Sequence, residues 1–493
     1  GTQSACLHHH PGPLCCCRRC FFCSSVSMAR KDPVSMGAKA NHLLLRAEKA
    51  TLFDFTAILF SSGIGKLSSV QISKALEENV EHRFMIFWSL LAQKILLFIQ
   101  NPLAVVGSML EILLNTLAFN GGFFKLIFNI FWGKVLIPDN MASNYVSIIG
   151  NLDTRVLLDT QISPGDSKYK GALSLMAAKM AYENRSFTEA VVSNYWKMHF
   201  LGAYDFWNEC VNENVTHAFL MLDKSSVPET YIVSFRGTRP SNAYDWCSDF
   251  DISWYEIPGV GIAHAGFMEA LGMQATGWPK EIKVDPNTTQ HQLAYYFLKK
   301  KLTDVLEQSS QARFILTGHS MGGALAVLFA SILAINQEDW LLKRLQGVYT
   351  FGQPRVGDER FGDFVSKRFS KYGVKYVRYV YCNDMVARLP WDDSGLLYRH
   401  FGTCVLFDSL YHQTVCKEVP DKNYSWVGLA MLLNAIWEII RSFFIRVAVG
   451  RDYGEGWLQI WFRLSGLVLP GLPDHSLQDY NNSTRLGWGP SPP

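Results

Sequence analysis

The pentapeptide Gly318-His319-Ser320-Met321-Gly322 sets a serine between two glycines. It follows an apolar run that reads as a strand (313–317) and precedes one that reads as a helix (324–335). Glycine at those positions removes the Cβ atoms that would collide where the chain turns sharply from strand to helix, so a strained serine can present its Oγ at the carboxyl edge of a sheet. Such a serine is suited to acyl transfer, provided a base takes its proton and a carboxylate orients that base.

In a strand-turn-helix hydrolase the acid and then the base follow the serine in the chain. Asp384 comes just after the apolar run 374–381 and Cys382-Asn383, which would bring its side chain out at the same sheet edge as Ser320. Asp358, Asp392, Asp393 and Asp408 are less well placed, and a simple turn cap is the alternative for Asp384. Among His400, His412 and His475, the last stands in a polar loop after Pro473-Asp474 near the chain end, whereas His400 lies in strand-like sequence; His475 is the expected base. A tetrahedral intermediate also needs donors. One is the backbone N–H of Met321, and Thr238, closing the run Phe235-Arg236-Gly237, offers both an N–H and a hydroxyl, with an ordinary turn hydroxyl as its alternative. No metal or cofactor is expected. Cys20-Phe21-Phe22-Cys23, with His8, His9 and His10 nearby, lacks the spaced second ligand pair of a zinc site.

These residues need a sheet to bring them together. Runs 231–235, 313–317, 348–351 and 374–381 read as at least four strands alternating with helix-like segments beyond Asp153, which predicts a mostly parallel α/β sheet. The 493 residues allow one large catalytic domain plus further elements. Residues 84–99 are almost wholly apolar, Asn101-Pro102 is expected to end that helix, and Leu103 to Trp132 holds only Glu111 and Lys125 as charges, split by Asn120-Gly121-Gly122. This reads as a hairpin or a set of interfacial helices embedded in a lipid surface, the alternative being a buried helical layer. A second apolar helix spans 426–449. The expected organisation is a disordered or extraneous leader at 1–50, a lipid-associating region at 51–150, and a catalytic domain at 151–493 with an insertion at 426–449.

A net charge of +3 sets nucleic acid aside as a partner, while 13% aromatic residues and 14 Trp point to a surface that meets lipid. Six of 11 cysteines crowd into residues 6–23 and form no disulfide framework. Neither Met28 nor Met36 is followed by a signal-peptide pattern, so secretion is not expected and the Asn-X-Ser/Thr triplets at Asn184, Asn214 and Asn287 carry no expectation of glycosylation.

Several blocks in fixed order resemble the class 3 lipases, and among these the plant oil-body lipases: Met176–Asn184, Val233–Thr238, His264–Phe267, Thr317–Ala326, Thr350–Gly357, Asn383–Pro390 and Asp474-His475. The resemblance covers roughly residues 170–480 and implies an α/β-hydrolase fold. It further implies Ser320 as nucleophile, Asp384 as orienting acid, His475 as base, and Thr238 with Met321 as the oxyanion hole. It also implies an acylglycerol substrate at lipid droplets and a mobile lid after Thr238, here carrying Tyr244, Trp246, Phe250, Trp254 and Tyr255, aromatics suited to meeting lipid when it opens, with core residues of that loop as the alternative. Phospholipase A1 or galactolipid acyl hydrolase activity, and an idle droplet scaffold, are the alternatives.

Overall fold

The computed structural model describes residues 41–60, 63–73, 83–211, 213–273, 291–390, 398–416 and 424–490. The cysteine-rich leader, Asn287, Asp392 and Asp393 lie outside the described residues.

The strands in chain order are β1 His42–Leu45, β2 Val70–Ile72, β3 His199–Asn208, β4 Glu213–Asp223, β5 Thr230–Phe235, β6 Trp254–Ile257, β7 Gly261–His264, β8 Arg313–His319, β9 Leu345–Phe351, β10 Lys375–Tyr381, β11 Thr403–Phe407 and β12 Gln413–Cys416. Eight of them form one sheet in the order β12-β11-β10-β9-β8-β5-β4-β3. The four pairings from β5 through β8, β9 and β10 to β11 are parallel; β12 and the β3-β4 ribbon pair antiparallel at the two flanks. The α/β sheet expected from the sequence is present. All four expected strands belong to its parallel centre, where burial on both faces produces the continuous apolar runs that made them legible. The helix Met321–Ile335 is buried along almost its whole length and packs on β8 and β9, fixing the strand-turn-helix unit around Ser320.

The expected boundary at residue 50 falls inside folded chain. β1 pairs antiparallel with β6 and with β2, and Leu43 and Leu45 join Trp254, Ile252 and Ile262 in one buried cluster. Four residues next to a polar leader are too few to stand out as a strand in sequence, but pairing and burial secure them. The expected helix end at Asn101-Pro102 is also corrected. One helix runs Arg83–Phe119 with Pro102 inside it. Proline removes one helical N–H, yet helix-forming sequence on both sides and packing against the helix Ala243–Phe250 carry the helix through. The break at Asn120-Gly121-Gly122 stands: both glycines have positive φ, and a separate helix Phe123–Phe131 follows.

Arg83–Phe119 is long and apolar enough to cross a membrane, as is Gly428–Ala448 within the helix Tyr424–Ala448. Each is two-faced. The first buries Ile86, Ser89, Leu90, Gln93 and Asn115 against the protein and exposes Phe84, Phe98, Val106, Met109 and Leu113. The second exposes Leu433, Trp437, Phe444 and Val447, while Glu438 and Arg441 on its other face enter a buried ion cluster. There Arg463 Nη1 meets Glu438 Oε2 at 3.0 Å, Arg463 Nε meets Glu455 Oε2 at 2.6 Å, and Arg441 Nη2 and Arg463 Nη2 meet Asp479 Oδ1 at 2.8 and 2.9 Å. The cluster ties the insertion to Leu477–Leu486, the helix that follows His475.

Candidate active site

Ser320 lies between β8 and the helix Met321–Ile335 with φ 57° and ψ −135°. A non-glycine residue with positive φ is strained by about 1–3 kcal/mol and persists where its surroundings over-determine it. A Cβ at Gly322 would come 2.3 Å from Phe235 O, so the elbow and the end of β5 touch only because residue 322 is glycine. That contact also sets the loop Arg236-Gly237-Thr238 beside Ser320: a Cβ at Gly237 would lie 3.0 Å from Ser320 Cβ. Ser320 is 2% exposed, so in this conformation its hydroxyl is shut off from solvent.

Asp384 follows β10 and its carboxylate is saturated. Oδ1 accepts from Val386 N at 2.8 Å and Ala387 N at 3.4 Å; Oδ2 accepts from Tyr480 OH at 2.5 Å and pairs with His475 Nδ1 at 2.8 Å. Because a carboxylate only accepts, Nδ1 carries the proton and Nε2 is left as the lone-pair nitrogen, the atom that takes a proton from a nucleophile. Among the described residues neither His475 Nε2 nor Ser320 Oγ has a hydrogen-bond partner, and both atoms are buried. Gly352, at φ +58°, makes room for this pair, since a Cβ there would stand 2.6 Å from Asp384 Oδ2 and 2.7 Å from His475 Nδ1.

His319 packs against His475. Its Nε2 faces the His475 carbonyl at 3.0 Å and its Nδ1 faces Tyr182 OH at 2.9 Å. A carbonyl only accepts, so Nε2–H donates to it and Nδ1 accepts from the tyrosine. Burial first and the neighbouring His475 second hold His319 well below the usual histidine range, which keeps it in that neutral tautomer. Asp474 accepts from Asn383 N at 3.0 Å; burial and the charge of Asp479 push its carboxyl up to about 6.

Thr238 is buried and donates its hydroxyl to Asp249 Oδ2 at 2.6 Å. Burial pushes Asp249 up to about 7 against the lowering effects of the Thr238 bond and His475. The Met321 N–H is among the first four of its helix, which have no intrahelical acceptor and point where the helix dipole is positive. Thus the five residues singled out in sequence are drawn to one sheet edge, and the competitors among the described residues are occupied elsewhere. Asp358 caps the helix Glu359–Tyr372 and Asp408 closes the turn at Leu410 and His412. His400 Nε2 donates to Ala387 O at 2.8 Å, and His412 packs on Trp488. Sequence reasoning missed Tyr480, Asp249 and His319 as members of the site. His319 lay inside the elbow motif and so carried a signal; Tyr480 and Asp249 carried none.

The aromatics after Thr238, expected to meet lipid when a lid opens, are packed in this conformation. Trp254 and Tyr255 are buried in β6, and Tyr244, Trp246 and Phe250 are half-buried against the helix Arg83–Phe119, so in this conformation these aromatics are core, not a lipid-facing surface. Among the described residues no group of histidine, cysteine and carboxylate side chains could hold a metal ion.

A model of the lipase (class 3) family matches residues 232–394. The chain is similar to the triacylglycerol lipase OBL1 of Arabidopsis thaliana, 39% identical over 446 residues, covering 83% of this chain and 86% of that protein. It is 35% identical over 510 residues to the triacylglycerol lipase OBL1 of Ricinus communis, covering 92% and 97%. With the lipase of Rhizomucor miehei it shares 29% identity over 181 residues, 36% of this chain and 42% of that one.

Proposed function

We propose, from the premise that this chain belongs to the class 3 lipase family, that it hydrolyses triacylglycerol at a lipid surface through an acyl-enzyme on Ser320. The observation that carries the reading is the strained Ser320 at the sheet edge with the Asp384-oriented His475 beside it.

Ser320 Oγ attacks the ester carbonyl carbon while its proton passes to His475 Nε2, and the imidazolium so formed is held by Asp384. The carbonyl oxygen becomes an oxyanion, met by the N–H groups of Met321 and Thr238 and, when Asp249 is protonated, by the Thr238 hydroxyl. Collapse breaks the bond to the glycerol oxygen, which leaves with the His475 proton. Water then gives a proton to His475 and its hydroxyl to the acyl carbon, releasing fatty acid and restoring Ser320.

The exposed apolar faces of Arg83–Phe119, Phe123–Phe131 and Tyr424–Ala448 support a monotopic seat in the lipid in preference to a bilayer span, because the opposite faces of the first and last carry buried polar ties to the catalytic body. The relatives' names support triacylglycerol as substrate, and the resemblance of the sequence blocks to oil-body lipases favours the surface of a lipid droplet. Fatty-acid release from triolein, phosphatidylcholine and monogalactosyldiacylglycerol emulsions, measured side by side, tests this. Faster release from either polar lipid than from triolein would replace triacylglycerol by a phospholipase A1 or galactolipase reading.

A further inference from the structure

An apolar helix that served only as an anchor would have no use for buried polar side chains, since each has to be matched by a partner. Arg83–Phe119 has them, and on one face. Ser89 Oγ donates to Phe250 O at 2.8 Å, Gln93 Nε2 donates to Ser89 Oγ at 3.1 Å and to Asp251 Oδ1 at 3.4 Å, and the Cys247 thiol donates to Gln93 O at 3.7 Å. Farther along, Gly107 lies so close to Ser241 that a Cβ would come 2.2 Å from the serine Cβ. The helix therefore grips both ends of the segment Ser241–Asp251.

That segment is the one that carries Asp249. Its internal ties, Arg239 to Asp245 and Trp246 Nε1 to Pro240 O, shape it locally. The helix holds it from outside at Cys247, Phe250 and Asp251. Asp249 is fully buried and accepts the hydroxyl of Thr238. A displacement of Ala243–Phe250 by a fraction of an ångström is felt at Thr238, because one hydrogen bond of 2.6 Å separates that helix from it.

We infer that the helix Arg83–Phe119 is a support of the oxyanion site and not a detachable anchor, with Ser89 and Gln93 as positioning residues that act through Asp249 on Thr238; this rests on reading Thr238 as the oxyanion residue. One rigid element, about 55 Å long at 1.5 Å per residue, then meets lipid on its outer face and sets a catalytic donor with its inner one. The seating of this helix governs turnover as well as binding to lipid.

The experiment uses the full chain and the water-soluble ester p-nitrophenyl butyrate. Gln93→Leu and Ser89→Ala lower kcat by about 3- to 30-fold with KM within about twofold, the mark of a group felt in the transition state. Ser89→Thr, which keeps the hydroxyl, restores most of the loss. In an Asp249→Ala background Gln93→Leu lowers kcat by less than about 1.5-fold more, as residues acting in series are non-additive. Thermal melts identify any variant that fails to fold, in which case the Ser89 pair decides. Unchanged kcat in folded Gln93→Leu and Ser89→Ala, or an equal loss in the Asp249→Ala background, overturns the inference. End-point labelling by a fluorophosphonate is complete in all these variants. A wild-type chain that does not label at Ser320 overturns the reading of the site itself, and the inference with it.

Discussion

Thr238 donates its hydroxyl to Asp249 Oδ2 over 2.6 Å, so the one proton on that oxygen is committed to the carboxylate whenever Asp249 is ionised. Once protonated, Asp249 donates instead to Thr238 Oγ and frees the threonine proton for an oxyanion. The ionised form also sets a negative charge beside the developing one. Burial pushes Asp249 up to about 7, so turnover is predicted to fall as pH rises through about 7. Asp249→Asn, whose amide donates to Thr238 at every pH, removes that falling limb from the kcat profile; the same limb persisting in the variant would refute the relay. Stability follows with its own sign. Between the ordinary value of 3.8 and about 7 the folded chain keeps a proton that the unfolded chain has lost, so this group's contribution is complete below about pH 4 and is lost as pH rises to about 7. Asp249→Asn makes the thermal midpoint flatter across that window.

Ser320→Ala and His475→Ala are each predicted to reduce p-nitrophenyl ester turnover by about 10⁴-fold or more with an unchanged thermal melt, because triad members act as a unit. His400→Ala and His412→Ala keep most activity: the first has its Nε2 committed to Ala387 O and the second packs on Trp488. More than about a tenth of wild-type turnover in Ser320→Ala would unseat it as nucleophile.

Tyr480→Phe deletes one of the two side-chain bonds to Asp384 Oδ2 and leaves His475 Nδ1 as the other. A hydrogen bond to a charged group contributes about 1.5–3 kcal/mol, so urea unfolding should show a loss of that size. The kinetic effect is smaller than for a triad member, roughly 3- to 10-fold in kcat, since the imidazole keeps its partner but loses part of its orientation. A variant with normal stability and turnover would show that Tyr480 only fills space.

What could be read in the sequence has a common physical character. Ser320, Asp384 and Thr238 each stand at the end of a buried parallel strand, where a continuous apolar run followed by a polar residue marks the sheet edge without knowledge of the fold. His475 was legible by its order after the acid. Tyr480 and Asp249 were not, because each matters only through a contact across 96 and 11 residues, respectively, and neither sits in a distinctive local pattern. Pro102 misled for the same reason. Its local preference is to end a helix, and tertiary packing of the helix on Ala243–Phe250 overrides it. β1 is four residues long and gains its stability from β6, some two hundred residues away.

Arg463 is fully buried between Glu438, Glu455 and Asp479. Arg463→Met leaves Glu438, Glu455 and Asp479 with Arg441 alone where two guanidinium groups had shared them, and breaking a buried pair from one side costs about 3–5 kcal/mol. The predicted result is a large drop in thermal midpoint. Because the cluster joins Tyr424–Ala448 to the helix after His475, turnover at a temperature where the variant is folded falls as well. Equal stability in Arg463→Met would mean that the cluster relaxes as a whole.

The outer apolar face is tested by charge. Phe98 is 86% exposed and Phe131 is 84% exposed, and neither touches the site. Each contributes about 2 kcal/mol when it enters lipid, so losing both removes about 4 kcal/mol, roughly a thousandfold in binding. Phe98→Glu with Phe131→Glu is therefore predicted to abolish flotation with phospholipid-coated triolein droplets. Turnover of p-nitrophenyl butyrate stays within about twofold, because Ser89 and Gln93 on the inner face are untouched and continue to hold Ala243–Phe250. Triolein hydrolysis falls in step with flotation. If droplets still bind the double variant in full, the lipid seat lies on another face, and Tyr424–Ala448, with Trp437 and Phe444 exposed, is the next to carry the same substitutions.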